Sequence, residues 1–236
     1  MDLRRVVACL GVVAAAALPA WAHRPVFDDG THIDAESALL IEEPNVSQVV
    51  YHEVTLDAAR LWLTFDASNG DNIYLQLGVP AINTLKDYRP VLALLGPGLP
   101  SIDLPFEVPS GLGGVLLQSV DKPAFFDEPF TGTQSWILRE SDRAALETGQ
   151  YYVVAYDPDG ISGKLWVSIG RAEEFGFEDI LSFSDIIVKV RAFHEVSGEP
   201  MPLLTRILYT VSRILAALLG IFGFGGVTAR AGGATA

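Results

Sequence analysis

The amino-acid sequence predicts a mainly β protein, a jelly-roll-like antiparallel β-sandwich followed by an amphipathic helix and a C-terminal hydrophobic helix. Three observations indicate this fold class. Short runs of strand-forming residues separated by turn residues fill the stretch 38–170. The apolar residues take on helical spacing after Gly170. Both ends of the chain are apolar, and the two ends have different patterns.

Residues 1–22 are expected to be a cleaved export signal. Arg4 and Arg5 precede the apolar run from Val6 to Leu18, and Ala20 and Ala22 supply the small residues that a signal peptidase reads. The run is too short for a membrane-spanning helix, which needs about 20 residues. Cleavage would make His23 the first residue and would remove the only cysteine. The mature protein is then expected to contain no disulfide and no cysteine metal site.

The charge of the chain excludes one class of function. The full sequence has a formal net charge of −13. Such an acidic surface repels nucleic acid and anionic lipid headgroups, since both carry negative charge. We therefore expect no nucleic-acid partner.

The sandwich is predicted to occupy residues 38–170, after a flexible N-terminal segment over 23–37. Asn69-Gly70 between two strand-like runs is a strong hairpin signal. Asp157-Pro158-Asp159-Gly160 predicts a second tight turn. Within this region, Ser141 as an N-cap and Gly149 beyond the end predict one short helix.

Two stretches of the sandwich resemble a known family. They are the run from Arg60 to Pro80, with Gly70-Asp71 and Tyr74-Leu75-Gln76-Leu77, and the run from Thr148 to Val154. Together they resemble the bacterial pre-peptidase C-terminal domain over about residues 49–170. The resemblance implies a small jelly-roll sandwich without catalytic activity that binds or protects a partner. This chain differs from that family by an insert over 99–133 and by having no peptidase attached.

The insert is the first candidate for a ligand site. It is rich in glycine and proline, and long connections of this kind are often functional. Its aromatic and acidic residues either close one end of the sandwich or line a groove for a carbohydrate or a lipid. The candidate ligand-binding residues are Phe125, Phe126, Asp127, Glu128 and Phe130.

The segments after the sandwich predict attachment to a membrane. Residues 171–198 have apolar side chains at helical spacing, so this amphipathic helix either packs on the sandwich or lies at the bilayer surface. Residues 203–229 form a hydrophobic segment that is predicted to anchor the chain, and residues 230–236 are a short tail. This segment contains Arg206 and Arg213, so an interfacial helix is the alternative to a spanning one. The body is expected on the extracytoplasmic side.

Histidines are the second candidate for a site. An N-terminal His23 offers its amine and its ring to copper, and His32 or His52 would complete the set of ligands. Asp71, Asp157 and Asp159 lie in turns that would suit calcium, although acidic residues in turns usually bind their own backbone. No resident cofactor is expected otherwise.

No motif in the sequence specifies a reaction, and no catalytic residue can be named. The sequence therefore favours a non-enzymatic binding or accessory module with an unidentified protein or glycan partner. Two alternatives stay open: a periplasmic copper-binding protein that uses His23, and a carbohydrate- or lipid-binding module that uses the insert.

Overall fold

The computed structural model describes residues 24–172, 177–197, 201–202, 205–207 and 209–211, with the backbone alone for 177–183. These residues form two stacked β-sheets and one long helix. The predicted export signal, most of the predicted membrane anchor and the tail over 230–236 lie outside the described residues. Among the described residues, no helix is long and apolar enough to cross a membrane.

Six strands form one sheet in the order β1-β3-β11-β5-β9-β8, and five form the other in the order β2-β4-β10-β6-β7. The mainly β prediction is confirmed. The strands are β1 (Arg24–Phe27), β2 (Leu39–Leu40), β3 (Gln48–Val54), β4 (Arg60–Ala67), β5 (Asn72–Pro80), β6 (Val91–Gly96), β7 (Gly113–Leu117), β8 (Ala124–Glu128), β9 (Thr133–Ala144), β10 (Gly149–Tyr156) and β11 (Gly163–Ile169). A 3-10 helix covers Asn83–Leu85, and the α-helix α1 covers Phe177–Phe193.

The sandwich is antiparallel except at two edges. Strand β1 pairs in parallel with β3, and β2 pairs in parallel with β4. Gly70 has a φ of 88° in the predicted turn between β4 and β5, a conformation that glycine adopts without steric cost. The predicted sandwich over 38–170 is antiparallel except at β2, and β1 adds a second parallel pair from the segment before it. A long connection separates each of these short strands from its partner, which allows the two to run in the same direction.

Alternate residues of most strands point between the sheets and form the inner core. On β11 these residues are Leu165, Val167 and Ile169, each at most 1 % exposed. Burying a side chain of this size stabilises the fold by about 1.5–3 kcal/mol. The same alternation sends Trp166 to the outer side of its sheet, where it is also buried. The outer faces of this sandwich are therefore covered as well.

An extended loop covers the outer face of the five-stranded sheet. Its apolar side chains pack on an outward-facing group that includes Trp62, Tyr152 and Tyr156. This loop is the first part of the predicted insert, whereas the second part contributes β7 and β8 to the two sheets. The insert is thus part of the sandwich.

Helix α1 covers part of the outer face of the six-stranded sheet. Phe193 packs with Trp166 and Val49, and Ile187 and Val190 are buried beside it. A helix thus lies within the predicted segment 171–198, and the described part of its apolar face packs on the sandwich. Trp166 fits because its ring lies over Gly78, where an added Cβ would come 2.1 Å from the ring.

Two local predictions are wrong. The predicted helix from Ser141 to Gly149 is absent, because β9 continues to Ala144 and Ser141 pairs with Leu75. Pairing along β5 outweighs the local helix signals there. The predicted flexible segment over 23–37 is ordered from Arg24 onward, where it forms β1 and a hydrogen-bonded turn.

Candidate metal-binding site

A buried carboxylate lies just after β1, between two histidines. The parallel register places Phe27 beside Tyr51, and the Asp28 backbone N–H then donates to the Tyr51 carbonyl at 2.9 Å. Asp28 consequently lies next to His52, the residue after Tyr51 on β3. The turn that follows β1 brings His32 back to the same carboxylate.

The two carboxylate oxygens of Asp28 bind different histidines. Oδ2 accepts hydrogen bonds from His52 Nδ1 at 2.6 Å and from the Gly30 backbone N–H at 3.0 Å. Oδ1 contacts His32 Nδ1. The side chains of Asp28 and His52 are 0 % and 1 % exposed, whereas that of His32 is 23 % exposed. The cluster therefore opens to solvent on the side of His32.

Both ring nitrogens of His52 face oxygen atoms. Nδ1 lies 2.6 Å from the Asp28 carboxylate, and Nε2 lies 3.0 Å from the Ala58 carbonyl oxygen. Burial raises the pKa of Asp28, but the hydrogen bonds from His52 and His32, the charge of His52 and the Gly30 N–H together lower it below its ordinary value. Asp28 is thus a buried carboxylate held by two imidazole rings.

One group of three side chains among the described residues has potential metal ligands within 4.8 Å of one another: Asp28, Asp29 and His32. Asp29 is 70 % exposed, and its Oδ1 lies 3.8 Å from His32 Nδ1. One imidazole and two carboxylates form a nitrogen and oxygen ligand set that suits divalent transition metals. His52 is not a member of this group, and both its ring nitrogens contact oxygen atoms of the protein.

The structure brings together two of the three predicted metal ligands. His32 and His52 contact the same carboxylate, and His23 lies outside the described residues. Arg24, the first described residue and the neighbour of His23, is separated from Asp28 by about 13 Å of extended chain, at about 3.3 Å per residue. The predicted copper site that combines His23 with His32 or His52 stays a prediction. Sequence reasoning missed Asp28 and Asp29, although Asp28-Asp29-Gly30 is a typical turn signal.

Two of the acidic turn residues considered for calcium, Asp71 and Asp157, bind the backbone of their own turns. Asp157 Oδ1 accepts hydrogen bonds from the N–H groups of Asp159 and Ile161 at 3.0 and 2.9 Å. Asp71 Oδ2 accepts one from the Ser68 N–H at 2.7 Å. These contacts fix the turns between strands.

The candidate residues of the insert lie on edge strand β8 and in the turn after it. Neighbouring residues of a strand point to opposite faces, so Phe125 and Phe126 do not share one face. Phe125 is 58 % exposed, while Glu128 accepts hydrogen bonds from the backbone N–H groups of Phe130 and Thr131. Asp127 accepts a long hydrogen bond from Gln134 at 3.4 Å. Glu128 therefore holds the turn, and a ligand role for the group stays a prediction.

A second buried histidine fixes helix α1 to the sheet. His194 Nδ1 donates to the Val190 carbonyl at 2.9 Å, so Nε2 accepts from the Ser135 hydroxyl at 3.1 Å. The Trp166 N–H donates to the same hydroxyl at 3.2 Å. Burial, together with the charge of Lys164, lowers the pKa of His194 to about 4. Ser135 and His194 are buried, so this pair is a structural contact.

Comparison with solved structures finds matches of low identity. The pre-peptidase C-terminal domain of collagenase from Bacillus anthracis matches with 13 % identity, covering 55 % of this chain and 91 % of that domain, with a TM-score of 0.33. This chain resembles a pre-peptidase C-terminal domain. The match is thus to the family that the sequence itself resembles.

Two further structures are similar to the chain at the same low level. A periplasmic inhibitor of g-type lysozyme from Aeromonas hydrophila has 9 % identity and a TM-score of 0.34, covering 63 % of this chain and 98 % of the inhibitor. A surface-associated copper-binding protein of Methylomicrobium album BG8 has 9 % identity and a TM-score of 0.26, with the same two coverages. At these scores the matches carry no argument about function. No protein-family model and no curated protein matches the sequence.

Proposed function

We propose that this chain is an exported, non-catalytic β-sandwich that binds a divalent transition-metal ion through Asp28, Asp29 and His32. The observation that supports the proposal is the buried Asp28 carboxylate, which has a histidine on each oxygen and lies beside the partly exposed His32 and the exposed Asp29. Copper(II) is the ion we expect to bind most tightly, since it forms the most stable complexes with nitrogen and oxygen ligands among the common divalent metals.

His52 has a supporting role in this proposal. It donates to Asp28 Oδ2 and to the Ala58 carbonyl, so it fixes the carboxylate in one orientation. Oriented outer groups of this kind commonly tune metal ligands. The ion would compete with protons for His32, so its affinity is expected to fall as the pH falls through the range in which histidine is protonated.

Titration of the purified protein with copper(II) tests the site. We expect His32→Gln and Asp29→Asn each to weaken binding at least about tenfold. This is the lower end of the loss in affinity that is typical when a group supporting a metal ligand is removed. Asp87→Asn is the matched control, because Asp87 is also an aspartate and is 86 % exposed but lies outside the cluster. Unchanged affinity in both site variants would reject the proposal.

The same titration separates this site from the copper site that uses His23. A chain with one extra residue before His23 has no amine at that position. It should bind copper as the native chain does if Asp28, Asp29 and His32 hold the ion. Loss of binding in the extended chain alone would instead favour the site at His23.

We also propose that the C-terminal hydrophobic segment holds the sandwich at the extracytoplasmic face of a membrane. The uncharged stretch from Ile214 to Ala229 supports this, since burying its apolar surface in lipid yields about 25 cal/mol for each Å². A chain that ends at Val211 retains the described contacts with the sandwich, including the bond from Thr205 to the Phe130 carbonyl.

We expect the chain that ends at Val211 to be released in the soluble fraction and the full chain to sediment with membranes. Alkaline carbonate strips proteins that lie at the bilayer surface. Resistance to carbonate would support a spanning segment, and extraction would indicate an interfacial one. A full chain that never sediments would contradict membrane attachment.

A further inference from the structure

The outer face of the five-stranded sheet is unusually apolar. Seven buried side chains point away from the inner core here: Trp62, Val91, Ala93, Leu95, Tyr152, Val154 and Tyr156. An antiparallel sheet normally has polar residues on the face that does not meet the core. A soluble protein that left this whole face uncovered would expose a large apolar patch, which usually marks a binding surface.

The segment that covers this face, residues 101–108, is here called the strap. Its side chains alternate strictly: Ile102, Leu104, Phe106 and Val108 pack on the face, and the residues between them are exposed. Phe106 lies between Trp62 and Tyr156, with ring centroids 5.2 and 5.3 Å away. The strap thus lies on the sheet as an extended chain with apolar side chains at every second position.

Side chains hold the strap in place with little help from its backbone. Within the described part of the chain, no backbone hydrogen bond joins residues 101–108 to the sheet. The polar contact is from Arg60 to the Pro105 carbonyl at 3.3 Å, and the Arg60 guanidinium also lies 5.4 Å from the Phe106 ring. The segment is anchored just outside its ends, where Gly114 donates to the Pro100 carbonyl and Leu112 donates to the Pro109 carbonyl.

One buried donor of the face has no partner under the strap. Trp62 is only 2 % exposed, and its indole N–H makes no hydrogen bond among the described residues. A buried donor without an acceptor destabilises the arrangement that leaves it unpaired. A segment that placed a carbonyl oxygen at this point would fit the face better than the strap does.

From these observations we infer that the outer face of the five-stranded sheet is a docking site for an extended peptide with apolar side chains at alternate positions. The strap occupies this site within the same chain and indicates its preference: an aromatic side chain between Trp62 and Tyr156, with aliphatic side chains on either side. A partner segment gains the Trp62 hydrogen bond that the strap leaves unmade. The inference does not rest on metal binding, although the two places are neighbours: the Trp62 backbone N–H donates to the His32 carbonyl at 2.8 Å.

The experiment uses the full chain and a labelled synthetic peptide with the sequence of residues 100–109, Pro-Ser-Ile-Asp-Leu-Pro-Phe-Glu-Val-Pro. The double substitution Ile102→Ser and Phe106→Ser weakens the hold of the strap. Fluorescence anisotropy should show that the double variant binds the peptide at least tenfold more tightly than the unchanged protein. The matched control peptide has serine in place of its phenylalanine, and it should bind at least tenfold more weakly than the original peptide.

The single substitution Phe106→Ser is used if circular dichroism shows that the double variant does not fold, and the same order of affinities is expected. A folded variant that binds neither peptide, or binds both equally, would overturn the inference. A folded variant that binds a soluble oligosaccharide and not the peptide would also overturn it, because the site would then belong to a glycan.

Discussion

Replacing Trp166 with alanine is expected to lower the free energy of unfolding by about 3–5 kcal/mol, the usual cost of removing a large buried aromatic side chain. Trp166 is 6 % exposed and packs with Val49 and Phe193 between the six-stranded sheet and helix α1. Its N–H also donates to Ser135, which in turn binds His194. The substitution therefore removes both the packing and one hydrogen bond that fix the helix.

Urea unfolding of the chain that ends at Val211 measures this effect. Trp166→Phe is the informative comparison, since it keeps one aromatic ring and removes the indole N–H together with the rest of the indole; we expect it to cost less than alanine does. Leu56→Ala is the control, because Leu56 is 91 % exposed and should change stability by no more than about 0.5 kcal/mol. A loss below about 1 kcal/mol in Trp166→Ala would show that the helix does not depend on this contact.

Replacing Asp28 with alanine is expected to have a similarly large effect. The substitution leaves His52 in a buried position without its carboxylate partner, and removal of one member of a buried ion pair typically costs about 3–5 kcal/mol. It also removes the acceptor of the Gly30 N–H. Asp29→Ala is the matched control: its side chain is 70 % exposed, so we expect a loss of no more than about 1 kcal/mol.

The Asp28 effect should depend on pH. Because the pKa of Asp28 is lower in the folded protein than in the unfolded chain, its contribution is fully present above the unfolded value of about 3.9 and is lost as the pH falls through the folded value. The difference in stability between the native chain and Asp28→Ala should therefore shrink in strong acid. A difference that stays constant from pH 7 to the acid limit would contradict the ionised pair.

Strands with local signals could be predicted from the sequence, and strands that depend on distant partners could not. The hairpin at Gly70 joins two predicted strands, β4 and β5, in the predicted place. Strand β1 contains Pro25 and pairs with β3, more than 20 residues further along, so nothing near it indicates a strand. Likewise, the capping signal at Ser141 predicts a helix, but Ser141 pairs with β5 and belongs to strand β9.

The same distinction applies to the candidate site. The sequence identified His32 and His52 as potential ligands because histidine is a common ligand type. It did not identify Asp28, whose proximity to His52 results from the parallel pairing of β1 with β3. Trp62 and Trp166 both lie in strands and are buried, but on the outer faces. Alternation shows which residues share a face, and it does not show which faces are covered.

The separate coverings of the two outer faces have a consequence for the cooperativity of unfolding. The inner core, the face under the strap and the face under helix α1 form three distinct apolar clusters. Release of the strap or of the helix removes contacts from one outer cluster and leaves the inner core intact. We therefore expect each covering to open as a separate cooperative unit, at a lower free energy than the sandwich itself. One unfolding transition would then not report the stability of all three clusters.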